Sequence, residues 1–132
     1  MPKHPPDLAV DALDRAYWDA LAEGRLMFQG CVCGHRWLPP RAACPACLRP
    51  DWTWQTAEGS GHLKSWVVYH IAYHEAFRER LPYNVAIVEL AEGPRLITNI
   101  IDDNALLSAE APVRFVPVRE GERTLARFVL VR

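Results

Sequence analysis

The stretch from Gly30 to Cys47, GCVCGHRWLPPRAACPAC, decides how this chain is read. It carries all four cysteines, as Cys31-Val-Cys33 and Cys44-Pro-Ala-Cys47, with ten residues between the pairs. Two close cysteine pairs a short loop apart have the spacing of a zinc ribbon, in which four thiolates surround one tetrahedral ion. Pro39-Pro40 stiffens the connecting loop, and Gly34 supplies the backbone freedom a knuckle needs after its second cysteine. The C-x-C pair is tighter than the usual C-x2-C. A regular knuckle ending in Cys33-Gly34 would start at position 30, which is Gly30. Three readings stay open: Cys31 binds from a distorted turn, His35 replaces it, or the loop holds free thiols and no metal. All candidate ligands sit in one compact ribbon, which favours a closed structural site over an open catalytic one.

Working outward, 132 residues suit one compact domain or a small domain with an appendage. Half the residues are hydrophobic, enough for a core. Lys plus Arg number 15 against 16 Asp plus Glu, so the chain lacks the basic excess of a general nucleic-acid binder. The N-terminal residues have no apolar core of signal-peptide length, and no stretch approaches a membrane span. Clustered cysteines without an export signal point to metal binding in a reducing cytoplasm.

Before the ribbon, Asp7 to Glu23 has helical spacing, with Leu8, Ala12, Leu13, Ala16, Tyr17, Ala20 and Leu21 on one face. Gly24 is placed to end it. The bulky face either packs on the chain itself or meets a partner, with Tyr17, Trp18 and Leu21 as the candidate contacts. Leu26 to Phe28 leads into the ribbon as a short strand, and Trp37, Trp52 and Trp54 flank it.

After the ribbon, Glu58-Gly-Ser-Gly61 marks a break, which divides the chain into a helix (7–25), a ribbon (26–57) and a β region (58–132). Strands are expected at 62–72, 83–90, 95–101, 113–118 and 124–131. In the first, Leu63, Val67, Tyr69 and Ile71 share one face, and Lys64, Trp66 and His70 the other. The apolar run Tyr83 to Leu90 is expected to be buried on both faces. Asp102 to Ala109 has room for one or two helical turns, capped by Asp102 or Asp103. Five strands, the first long, with a short helical segment between third and fourth, follow the order of an OB-fold barrel.

Trp66, Tyr69, Tyr73, Phe77, Arg78, Arg80 and Tyr83 gather around the first barrel loop. That cluster suits stacking on single-stranded nucleic acid, the adenine and phosphates of CoA, or a protein interface. Signals for catalysis are sparse. Ser60, Ser65 and Ser108 lie in no nucleophile motif. His70 and His74 beside Glu75 form a conceivable acid–base pair, with solvated loop histidines as the plainer reading. Thiolate catalysis at Cys31 or Cys33 requires the metal to be absent.

Several runs together resemble a known family: Tyr17-Trp-Asp-Ala-Leu-Ala-Glu-Gly-Arg-Leu26, Cys33-Gly34, Pro39-Pro-Arg41, Cys44-Pro-Ala-Cys47, Gly59-Ser-Gly61, Leu81-Pro-Tyr83 and Val88-Glu-Leu-Ala-Glu-Gly93. The chain is similar, from about Asp14 to its end, to the zinc-ribbon and OB-fold proteins catalogued as domain of unknown function 35. It departs from them at Gly30, where their first cysteine commonly stands, and at Ala109-Glu-Ala-Pro112, where they often have a glycine before the fourth strand. The resemblance implies a mainly β fold with an N-terminal helix, a rubredoxin-like ribbon holding structural zinc through Cys31, Cys33, Cys44 and Cys47, and a five-stranded barrel. It further implies a non-catalytic accessory subunit in a hetero-oligomer with a thiolase-like, retro-aldolase or enoyl-CoA hydratase enzyme. The barrel, through Trp66, Tyr69, Phe77, Arg78, Arg80 and Tyr83, then lies near acyl-CoA. The alternative is a single-strand-binding OB-fold protein.

Overall fold

In the computed structural model, residues 12–71 and 81–131 are described. A helix, α1 (Ala12–Ala22), precedes a small antiparallel sheet of β1 (Met27–Cys31), β2 (Arg36–Trp37) and β3 (Trp52–Thr56), ordered β2-β1-β3. Next come β4 (Ser60–Tyr69), β5 (Tyr83–Leu90), β6 (Arg95–Thr98), β7 (Pro112–Glu120) and β8 (Arg123–Leu130), ordered β6-β5-β4-β7-β8. The sheet curls until its edges meet. Ile100 and Phe128 form a parallel bridge, and the Ile101 N–H donates to the Phe128 carbonyl at 2.9 Å. Strand order and closure are those expected of an OB-fold barrel.

α1 ends where Gly24 adopts φ +84°. The Arg25 N–H reaches the Ala20 carbonyl and the Gly24 N–H the Leu21 carbonyl, which closes the helix as a Schellman motif. The helix lays Ala20 and Leu21 inward. Leu21, Leu26 and Phe28 join Leu63, Val88, Val113 and Phe128 in one core. Helix, first ribbon strand and barrel therefore share a single apolar interior.

Two expectations are corrected. A β-bulge between Leu63 and Ser65 breaks the alternation of β4. Leu63 and Trp66 both pack toward the core, while Val67 is 53% exposed on the outer face. Tyr69 faces Tyr83 across the ladder, and their rings stack at 5.2 Å. In β5, Asn84, Ala86, Val88 and Leu90 are buried, but Val85 and Ile87 turn outward, so the run is not buried on both faces. Alternation, rather than apolar content, sets which side is covered.

Between β6 and β7 lies one 3-10 turn, Asn104–Leu106, whose Asp103 side chain accepts from the Ala105 N–H. In the turn before β7, Glu110 adopts φ +66°, a left-handed backbone that favours glycine. Its N–H donates to the Leu63 carbonyl and its carboxylate meets Lys64 Nζ at 2.6 Å. That bond raises the Lys64 pKa and lowers that of Glu110. Gly61 is required at the strand crossing, since a Cβ there would lie 2.5 Å from the Glu89 carbonyl oxygen.

Candidate metal centre and apolar groove

β1 ends in Cys31, and the alternation along this strand explains the C-x-C spacing. A Cβ at position 30 would come 2.4 Å from Gln55 Nε2, so that position faces the β3 side chains. Cys31, one residue on, is buried with Trp37 and Cys44. The turn after it is fixed by the Gly34 N–H to the Cys31 carbonyl and the Cys31 N–H to the His35 carbonyl, with Gly34 at φ +98°. The second knuckle is regular. The N–H groups of Ala46 and Cys47 point at Cys44 Sγ, at 3.4 and 3.5 Å.

All four sulfurs lie within 4.8 Å of one another. Cys31 and Cys47 are 3.5 Å apart, Cys33 and Cys44 3.7 Å. Zinc with Zn–S bonds of about 2.3 Å needs a tetrahedral edge of about 3.8 Å. The donor set and its spacing fit zinc, and a bound ion would staple β1 to the 44–47 turn. His35 stands outside this group and stacks on Trp37. At Cys31 the Cys33 N–H lowers the thiol pKa, but burial and the neighbouring thiols outweigh it and push it up to about 12. At Cys44 burial acts upward, yet the Cys47 and Ala46 N–H groups and the other thiols bring it down to about 7.

The ten-residue loop between the cysteine pairs is held by a residue that sequence reasoning missed. Gln29 is completely buried. Its Nε2 donates to the Arg41 carbonyl at 2.8 Å and its Oε1 accepts the Arg41 N–H at 2.7 Å. A polar residue alternating with Phe28 in a short strand was the available signal. On the loop's far side, Trp52 Nε1 donates to the Ala42 carbonyl at 2.8 Å.

This loop also forms one wall of a groove of about 870 Å³. Leu38, Pro39 and Pro40 face Tyr17, Trp18 and Leu21 of α1, and the floor comes from β5, β6 and β8. The structure thus separates the three helix residues singled out from sequence. Leu21 is 1% exposed and belongs to the core, whereas Tyr17 and Trp18 pack against that core from the groove. Their rings meet edge to face, and Arg123 sits over Trp18 at 5.1 Å. Of the barrel residues, Tyr69 and Tyr83 come together and Trp66 joins the interior. Phe77, Arg78 and Arg80, with Tyr73, His74 and Glu75, lie outside the described residues.

The groove continues onto the outer face of β4 to β6, where an apolar strip lies beside the Glu89–Arg95 ion pair. Val67 pairs with Val85, and Ile87 with Ile97, which is 75% exposed. A second hollow, of about 1010 Å³, lies beside Asn84, Asn99 and Asn104. There the Asn84 amide is fully used, its Oδ1 by the Ile100 N–H and its Nδ2 by the Ile100 carbonyl and Asn104.

Comparison with known proteins agrees with this geometry. Residues 18–53 match the rubredoxin-like zinc ribbon domain of ChsH2, and residues 54–118 its C-terminal OB-fold domain. A probable enoyl-CoA hydratase alpha subunit of Thermomonospora curvata is 42% identical over 90 residues, 67% of this chain but 28% of that subunit. The chain therefore spans little more than a quarter of the length of that relative. A DUF35 domain-containing scaffold protein of Methanothermobacter thermautotrophicus is 36% identical over 92 residues, 67% of this chain and 68% of that protein. Among solved structures, the Ltp2-ChsH2(DUF35) aldolase superposes with a TM-score of 0.82 at 33% identity, covering 96% of this chain and 98% of that one. With its four-cysteine ribbon set against a curled five-stranded sheet, the chain belongs to the DUF35 family of zinc-ribbon and OB-fold proteins.

Proposed function

We propose that this chain is the non-catalytic scaffold subunit of an acyl-CoA-processing complex, whose partner enzyme carries out thiolase-like, retro-aldolase or enoyl-CoA hydratase chemistry. The observation that carries this reading is the match, along nearly its whole length, to a chain of the Ltp2-ChsH2(DUF35) aldolase. Relatives named as an enoyl-CoA hydratase subunit and as scaffold proteins point the same way. The ribbon, with zinc on Cys31, Cys33, Cys44 and Cys47, is a rigid part of the scaffold whose metal contributes to folding.

The contact with the enzyme falls on the outer face of β4 to β6. Val67, Ile87 and Ile97 form an exposed apolar cluster there, and contiguous apolar surface of this kind marks an interaction site. Tyr69 and Tyr83 border it as a stacked aromatic pair, the residue type that anchors interfaces. Tyr17 and Trp18 lie along the adjoining groove, while Leu21 serves by holding α1 in the core. A cytoplasmic location accompanies this reading. Among the described residues no helix is long and apolar enough to cross a membrane. The single-strand nucleic-acid alternative draws less support, because Trp66 packs into the core instead of offering a stacking platform.

The test is affinity purification of the tagged chain from its native cells, with a nuclease-treated control and mass spectrometry. A stoichiometric CoA-thioester enzyme is expected, lost on Ile97→Glu. Recovery of nucleic-acid proteins alone, in a nuclease-sensitive way, would overturn the proposal.

A further inference from the structure

One polar atom of the ribbon is left over. The Trp37 Nε1–H is buried and bonds no group among the described residues. Trp37 as a whole is 5% exposed. A buried indole N–H normally finds a partner, and a donor left unsatisfied in a protein interior is costly. Its surroundings say what that partner is.

Trp37 stands opposite Gln29 in the β1–β2 ladder, so the two side chains lie on one face of the small sheet. Cys31, two residues beyond Gln29, shares that face. The indole packs in one buried cluster with Cys31 and Cys44, and the His35 ring stacks on it at 5.7 Å. The oxygen acceptors on this side are already engaged. Gln29 Oε1 takes the Arg41 N–H, the Arg41 carbonyl takes Gln29 Nε2, and the Ala42 carbonyl takes Trp52 Nε1. What remains in the cluster is sulfur.

Charge makes one sulfur the better acceptor. Four thiolates on one zinc ion carry a net charge of about −2, and a buried anion has to be met by donors. A coordinated thiolate keeps two lone pairs. At Cys44 both are met, by the Ala46 and Cys47 N–H groups at 3.4 and 3.5 Å. At Cys31 one is met, by the Cys33 N–H. The Cys31 thiol also contacts that of Cys47 at 3.5 Å, but metal binding requires the proton of such a contact to leave. Cys31 Sγ is therefore buried, anionic in the metal-bound state and one donor short. Beside it lies a buried N–H that is one acceptor short.

We infer that Trp37 is a positioning residue of the metal centre, its indole Nε1–H donating to the Cys31 thiolate when zinc is held. The bond shares the negative charge of the cluster and fixes the knuckle that carries the C-x-C pair. It rests on the ribbon holding zinc and is independent of any partner enzyme.

The experiment loads the chain with cadmium enriched in a spin-active isotope, which takes the same four sulfurs, and records the indole N–H signals by proton–nitrogen NMR. The Trp37 signal, assigned by its contacts to the His35 ring, is expected to move downfield and to show scalar coupling to cadmium. Only a bond through a metal-bound sulfur transmits that coupling, and the other tryptophans are internal controls. Trp37→Phe keeps an aromatic ring but no donor, and should weaken zinc binding roughly 10- to 100-fold. In its cobalt form the sulfur-to-metal charge-transfer band should shift to longer wavelength, because the thiolate lone pairs lose the N–H that stabilised them. Loss of packing alone would lower affinity without moving the band. Stoichiometric metal uptake with neither shift nor coupling at the Trp37 indole overturns the inference, as does a cobalt band unmoved by the substitution. The NMR result on the parent chain decides even where the variant fails to fold. A parent chain that takes up no metal would instead overturn the zinc ribbon itself.

Discussion

Replacing Gln29 by alanine tests whether the loop between the cysteine pairs is held by its side-chain clamp as well as by the metal. Gln29 holds Arg41 at both backbone atoms, by bonds of 2.8 and 2.7 Å, and has no exposed surface. Each bond contributes about 0.5–1.5 kcal/mol. The substitution also strands the Arg41 N–H and carbonyl and leaves a void where the side chain was. The sum is about 2–4 kcal/mol. At this chain length that corresponds to a fall in Tm of roughly 6–15 °C. Because a bound metal adds its own stabilisation by mass action, parent and variant must be compared at one fixed free zinc concentration. The assay pairs thermal unfolding with the rate of zinc transfer to a chromogenic chelator. Transfer should be faster in the variant, since the loop carrying Arg41 delivers Cys44 to the cluster. A Tm within 2 °C of the parent, with unchanged transfer, would show that the clamp is dispensable and that the loop is held by the metal alone.

Cys44→Ser should release the metal and loosen the N-terminal half, because the buried Cys44 Sγ is the sulfur that receives two knuckle N–H groups; a folded variant that keeps stoichiometric zinc by elemental analysis would contradict this. Glu110→Gly should raise Tm by roughly 3 °C. It relieves a side chain from φ +66°, and the ion pair with Lys64 that it removes involves a carboxylate 61% exposed and so contributes little; a lower Tm by calorimetry would mean that the ion pair, and not the backbone, governs this turn.

The sequence made the order of the barrel strands legible because each was bounded by turn residues, and β5 was placed at its observed limits. It made the ribbon legible because cysteine spacing is a direct statement of ligand geometry. Gly24 was read correctly because only its local backbone mattered. What escaped were features that depend on partners distant in sequence. The bulge at Leu63/Ser65 arises from fitting β4 to β5, and no alternation count within β4 reveals it. The expected face of Trp66 was therefore reversed relative to Leu63. Gln29 looked like an ordinary strand residue, since its partner lies twelve positions away. The groove was invisible for the same reason, being assembled from five separate elements. Leu21 was offered as a partner contact because a helix's apolar stripe reads the same whether it faces its own core or another protein's surface.

The arrangement of β1 has a consequence for how metal and groove relate. Successive residues of this strand serve different ends: Phe28 fills the common core, Gln29 clamps the inter-cysteine loop, and Cys31 enters the metal cluster. The clamped loop supplies Leu38, Pro39 and Pro40 to the groove wall before it reaches Cys44. One covalent segment, anchored at its start by Cys33, at its middle by Gln29 and at its end by Cys44, thus determines both the shape of the cluster and the width of the groove. Loss of the metal removes the tie between Cys33 and Cys44, leaving the pairing of β2 with β1, the packing of Leu38, the Gln29 clamp and the Trp52 bond to Ala42 to hold the wall. Each of these hydrogen bonds is individually modest, so the metal adds to the stiffness of the wall. A structural zinc ion can in this way set the width of the groove beside it, which is a physical reason to join a metal ribbon to a barrel within one core.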